Sequence, residues 1–88
     1  MVSVYDEARR IDLTWREEHP EHMEGWVIWL PGEDAAAGWC RGRPLASRWI
    51  PGVLAVCSDG KILKAIGGSQ QSGAKEWKEL ISIREQDA

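Results

Sequence analysis

Phenylalanine is absent from this chain and tyrosine occurs once, yet tryptophan occurs six times in 88 residues. Any aromatic core must therefore be built from indoles, each able to bury about 150–250 Å². Cysteine occurs only at Cys40 and Cys57, which is neither the number nor the spacing of a secreted disulfide framework. Cys57 lies in an apolar run and reads as a buried thiol. No apolar run approaches the ~20 residues of a membrane-spanning helix. Met1 to Arg10 lack the apolar stretch of a signal peptide. Together these absences favour a cytoplasmic domain without disulfides or membrane segments.

Charge of one sign is also lacking overall, since the net charge is only −3. Its distribution is uneven. Residues 1–37 carry nine acids against three arginines, whereas residues 38–64 carry Arg41, Arg43, Arg48, Lys61 and Lys64 against Asp59 alone. A generally basic nucleic-acid binder is disfavoured, and one local positive patch is allowed. Residues 1–88 read as one domain, small enough that each large apolar side chain matters to the core.

Local patterns predict an α+β fold, with an N-terminal helix packed on an antiparallel sheet of three to five strands. Val4, Ala8, Ile11 and Trp15 recur at helical spacing, with Ser3 as N-cap and Asp6 and Glu7 in the first turn. Asp6 with Arg10 and Asp12 with Arg16 form i,i+4 pairs, and Pro20 ends the run. A helix over 4–18 follows. Trp26 to Leu30 reads as a strand, and Trp39 to Arg41 as a short partner. Residues 43–48 look irregular. Val53 to Cys57 and Lys61 to Ile66 form a hairpin through Ser58-Asp59-Gly60, with the Asp-Gly pair supplying positive φ angles. Gly67 to Gly73 reads as a mobile loop. Trp77 to Ile83 reads as a last strand, from the two-residue period of Trp77, Ile81 and Ile83; a helical turn at 74–78 is the other reading.

The strands are apolar on both faces: Trp26, Ile28 and Leu30 alternate with Val27 and Trp29, and Val53 and Ala55 with Leu54 and Val56. One helix covers only one face of an antiparallel sheet. The second face must be closed by loops, by another copy of the chain, or by a partner.

Chemistry-bearing residues are few. His19 and His22 stand beside carboxylates, but zinc would need Cys40 and Cys57 to converge on them, and no metal or other cofactor is expected. No motif joins a nucleophile to a base and an orienting group, so the chain is not expected to be an enzyme. Gly67-Gly68-Ser69 lacks the Gly-Lys-Ser/Thr ending of a phosphate loop. The stretch Glu17 to Glu24 contributes four glutamates, a solvated loop or a contact for a basic surface. The richest segment is Trp39 to Trp49, with Arg41, Arg43 and Arg48 between the two indoles and no acid among them. It suits an acidic protein surface or stacking on bases with phosphate contacts. It also suits a core in which the arginines stack on the indoles or pair with the acidic helix.

Small size, tryptophan content, the Trp49-Ile50-Pro51-Gly52 lead into a hairpin and the Gly67-Gly68 to Trp77 ending resemble, in type, the short orphan proteins of bacteriophages and prophages. That resemblance implies a single-domain inhibitor of host machinery, anti-CRISPR proteins being one such class, and it carries over no site residues. The expected function is a non-enzymatic protein-interaction module that occludes a partner. Trp39, Arg41, Arg43, Arg48 and Trp49 are its expected contacts, and Gly67, Gly68, Ser69, Gln70 and Gln71 a second contact. A nucleic-acid-binding regulator using the same patch is the alternative, and a homodimer through an apolar sheet face is a third reading.

Overall fold

The computed structural model describes residues 4–81, with the side chain of Ile81 excepted. The proposed N-cap Ser3 and the proposed strand residue Ile83 lie outside the described residues. One helix, α1 (Val4–Glu18), precedes strands β1 (Trp26–Trp29), β2 (Gly38–Cys40), β3 (Leu54–Cys57), β4 (Ile62–Ile66) and β5 (Glu76–Ile81). A single 3-10 turn, Ala46–Arg48, lies between β2 and β3. The five strands form one antiparallel sheet in the order β2-β1-β3-β4-β5. Among the described residues no helix is long and apolar enough to cross a membrane.

The helix runs over the expected residues, but its buried stripe differs. Ala8 and Ile11 are buried and Tyr5 is half-buried against the sheet, while Val4 turns outward. Arg10 pairs with Glu7 one turn back, at 2.6 Å. In the β3–β4 turn only Gly60 has positive φ, at 100°; Asp59 does not. Asp59 instead accepts a hydrogen bond from the Lys61 N–H at 2.9 Å through its carboxylate, so the turn combines a left-handed Gly60 with a side-chain bond from Asp59. The Gly67–Gly73 connection is tied internally: Ser69 and Gly73 exchange backbone bonds and the Ser72 N–H donates to Ser69 Oγ. The last segment is a strand, and the alternative helical turn at 74–78 is not formed.

Sheet alternation sorts the apolar side chains into two cores. Trp29, Leu54, Val56 and Ile62 join Ala8 and Ile11 under the helix. Ile28, Val53, Ala55, Leu63 and Ala65 face the other way, where Ala46 and the half-buried Trp26, Trp49, Ile50 and Trp77 close over them. The second face is thus closed by the chain's own 44–53 segment, one of the three expected solutions. Two small cores sharing one sheet explain the abundance of tryptophan: an indole covers more area than any other side chain. Cys57, expected as buried, is half-buried at the end of β3.

A buried ion pair fastens the helix to the sheet. Arg16 Nε donates to Asp12 Oδ1 at 2.7 Å, and the two side chains are only 10% and 11% exposed. The same guanidinium donates to the carbonyls of Met23 (2.9 Å), Glu24 (3.1 Å) and Gly25 (2.9 Å), with longer contacts to His22 and Val56. Burial pushes the Asp12 carboxyl above its ordinary value, and Arg16 and Arg9 pull it back only in part. The folded chain therefore holds this proton more tightly than the unfolded chain does. Stability from this group is complete below about pH 3.9 and is lost as pH rises through the raised pKa. The exposed Asp59 acts oppositely: the Lys61 N–H lowers its pKa, so its contribution is complete above the ordinary value and lost in more acidic solution. Urea unfolding of Arg16→Ala should show a loss of about 3–5 kcal/mol, the penalty of stranding a buried carboxylate. Asp12→Asn, which keeps an oxygen for Arg16, should lose less and should lack the decline in stability above about pH 3.9.

Candidate functional site

The five expected contact residues divide between the two sides of the sheet. Trp39 pairs with Val27 across β1–β2, which directs it to the helix side. Its ring lies 4.2 Å from His22 and 5.9 Å from Trp15, nearly parallel to both, and Trp15 in turn stacks on His19 at 4.0 Å. The Trp39 indole N–H donates to the Glu24 carbonyl at 2.9 Å. Arg41 lies 5.9 Å from the Trp39 ring centroid and 3.5 Å from the Glu24 carboxylate. Gly25 permits this packing: with φ at 92°, any Cβ there would collide with the Trp39 ring and the Cys40 carbonyl. His19 Nδ1 meets the Trp15 carbonyl at 2.8 Å, so that nitrogen carries the hydrogen. His22 Nδ1 is buried without a partner. The histidines are parts of an aromatic stack, and among the described residues no three His, Cys, Asp or Glu side chains gather as metal ligands.

Trp49 belongs to the other side. Its ring packs on the second core and lies against β2 at Gly38, where the missing side chain leaves room for it. Its indole N–H is buried and unpaired. Around it the 43–49 segment alternates inward and outward as far as the 3-10 turn, where Ser47 and Arg48 both face out. Pro44 and Ala46 are buried and Trp49 is half-buried; Arg43, Leu45, Ser47 and Arg48 are exposed. Leu45, with 62% of its surface open, stands between the two arginines.

The segment is fixed along its length. The Trp77 indole N–H, projecting from β5, donates to the Pro44 carbonyl at 2.7 Å. Within the 3-10 turn the Arg48 N–H donates to Leu45 and the Trp49 N–H to Ala46, at 3.1 and 3.0 Å. The Ala74 N–H donates to the Trp49 carbonyl at 2.8 Å, and the Gly52 N–H to Ala65 at 2.8 Å. Arg43, Leu45 and Arg48 are consequently displayed from a backbone clamped to β4, β5 and the strand connection before β5. Such a support reduces the ordering entropy that a flexible loop loses on binding.

Electrostatically the arginines differ. Arg41 already has Glu24, whereas Arg43 and Arg48 have no ion-pair partner among the described residues. An unpaired cation on each side of an exposed leucine matches an acidic surface with an apolar centre. The proposed second contact, Gly67, Gly68, Ser69, Gln70 and Gln71, is exposed throughout. Leu45 was not singled out from sequence; the alternation Arg-Pro-Leu-Ala-Ser-Arg that turns it outward is its only signal.

Opposite roles for Trp49 and its neighbouring arginines give a direct check. Trp49→Ala should cost about 3–5 kcal/mol in thermal or urea unfolding, as expected for removing an indole from a core. Arg43→Glu with Arg48→Glu should change stability by no more than about 0.5 kcal/mol per site. Compared with models of protein families, with curated proteins and with solved structures, the chain matches none.

Proposed function

We propose that this chain is a non-enzymatic protein-interaction module that binds and occludes an acidic surface of a host protein or complex in the cytoplasm, in the manner of a small phage-type inhibitor. The observation that carries the reading is the clamped 43–48 segment, which presents Arg43, Leu45 and Arg48 outward from the second core. A central leucine excludes water while flanking guanidinium groups pair with carboxylates bidentately, the arrangement of an interface hot spot.

The alternative, a nucleic-acid-binding regulator, needs flat aromatic faces for bases. Here Trp49 is turned into the core, and Trp39 is packed with His22 and Trp15 and hydrogen-bonded to the Glu24 carbonyl. The acidic helix and the 17–24 connection would also repel a phosphate backbone. Both considerations favour a protein partner. The homodimer reading loses its motive, because the second sheet face that called for cover is covered by residues 44–53.

The test is affinity capture from a bacterial lysate with and without nuclease, using the tagged chain and its Arg43→Glu/Arg48→Glu variant. A stoichiometric protein that survives nuclease and is lost with the variant is the expected result. Loss of everything on nuclease treatment would establish the nucleic-acid alternative instead. Undiminished capture by the variant would show that the Arg43–Leu45–Arg48 surface is not the contact.

A further inference from the structure

The outer side of α1 meets the chain that follows it along a shallow groove on the opposite side of the molecule from Arg43 and Arg48. Leu13, Arg16, Glu17, Pro20 and Met23 line a volume of about 350 Å³ there. Leu13 and Met23 are 62% and 64% exposed. A single exposed apolar side chain is ordinary, but two of them sharing one groove with a proline form a local apolar patch.

The wall of this groove is held firmly. The Met23 carbonyl accepts a hydrogen bond from Arg16 Nη1, and the carbonyls of Glu24 and Gly25 accept from the same guanidinium. Holding consecutive carbonyls this way takes a charged group out of water. The side chain that this held backbone leaves exposed is a methionine, whose unbranched thioether adapts to an irregular apolar partner.

The chain beside the groove is mostly acidic, and the one cation in its lining, Arg16, is paired with Asp12. From Glu17 to Glu24 the chain carries Glu17, Glu18, Glu21 and Glu24 and no lysine or arginine. Glu17, Glu18 and Glu21 are exposed in the same stretch as Pro20 and Met23. Glu24 is met by Arg41, and Arg9 stands one turn before Leu13, beside the next hollow of the helix. An apolar strip with acidic flanks is the complement of a helix that carries leucines on one stripe and basic residues beside them. An acidic helix would be repelled, and an uncharged one would leave the carboxylates unmatched.

We propose that this groove docks a basic amphipathic helix of a protein partner, with a large apolar side chain seated between Leu13 and Met23 and cations against Glu17 and Glu21. This site is separate from the Arg43–Leu45–Arg48 surface and does not depend on it. The probe is a synthetic helical peptide of roughly fourteen residues built from leucine and lysine in an amphipathic pattern, with a leucine–glutamate peptide as control. Carbon-13 methyl NMR of the full chain reads the contact directly. Saturable shifts centred on the Leu13 and Met23 methyl groups are expected with the lysine peptide. Affinity should fall about tenfold or more for the glutamate peptide, and equally for Leu13→Ser/Met23→Ser, whose exposed positions leave the melting temperature unchanged. Shifts spread over the acidic surface that leave both methyl groups unmoved would overturn the proposal. Unchanged affinity in the double variant would overturn it too, since it would show attraction by charge alone.

Discussion

The guanidinium of Arg16 is the junction on which the helix side of the molecule depends. It joins Asp12 on its own helix to the carbonyls of Met23, Glu24 and Gly25, and reaches toward Val56 on β3. The Glu24 and Gly25 carbonyls also accept from the Trp39 indole and the Ser58 N–H, and the arginine adds the one charged donor that gathers all three carbonyls at a single point. Replacing the pair with apolar residues of equal volume need not weaken the fold. It would, however, remove the donors that shape the connection. Everything built on that backbone then shifts: the Trp39 indole held by the Glu24 carbonyl, the His22 ring beside it, and the outward Met23.

On the far side of the sheet the same problem, covering an apolar face with little chain, has a different solution. Residues 44–53 carry no long helix. They cross the face with Pro44, Ala46, Trp49, Ile50 and Val53 buried or half-buried, and three indoles from β1, the segment itself and β5 complete the seal. The way the segment is anchored has a second consequence: the residues between its inward anchors, in the extended Arg43–Leu45 part and in the 3-10 turn, face outward. The residues that fasten the segment, Pro44, Ala46 and Trp49, are the reason Arg43, Leu45 and Arg48 stand in fixed outward positions. Stability and display come from one pattern.

Much of the architecture is legible in the sequence. The 3.6-residue stripe and Pro20 bounded the helix, and two apolar runs about Asp59-Gly60 marked the hairpin. The apolar character of both strand faces required cover on both sides. What sequence could not supply was the direction of side chains in the Trp39–Trp49 segment. Reading it as one patch joined residues that alternation and the β2 register send to opposite sides, Trp39 to the helix and Trp49 to the second core. Asp12 and Arg16 were recognisable as an i,i+4 pair. Their depth was not, because burial depended on carbonyls more than six residues further on. Of the Asp59-Gly60 pair only Gly60 takes the expected positive φ, while Asp59 contributes a side-chain bond to Lys61.

If Arg16 is the buried junction described here, its Nε–H must be shielded from water in a way that surface arginines are not. Hydrogen–deuterium exchange of the arginine Nε–H groups, followed by nitrogen-15 NMR, measures this directly. Exchange at Arg16 should be slower than at Arg43 and Arg48 by about a hundredfold or more, reporting an opening equilibrium of the connection. Exchange at Arg16 as fast as at those exposed arginines would contradict the account. It would mean that the 22–25 backbone, and the aromatic stack and groove that rest on it, are not held by this side chain.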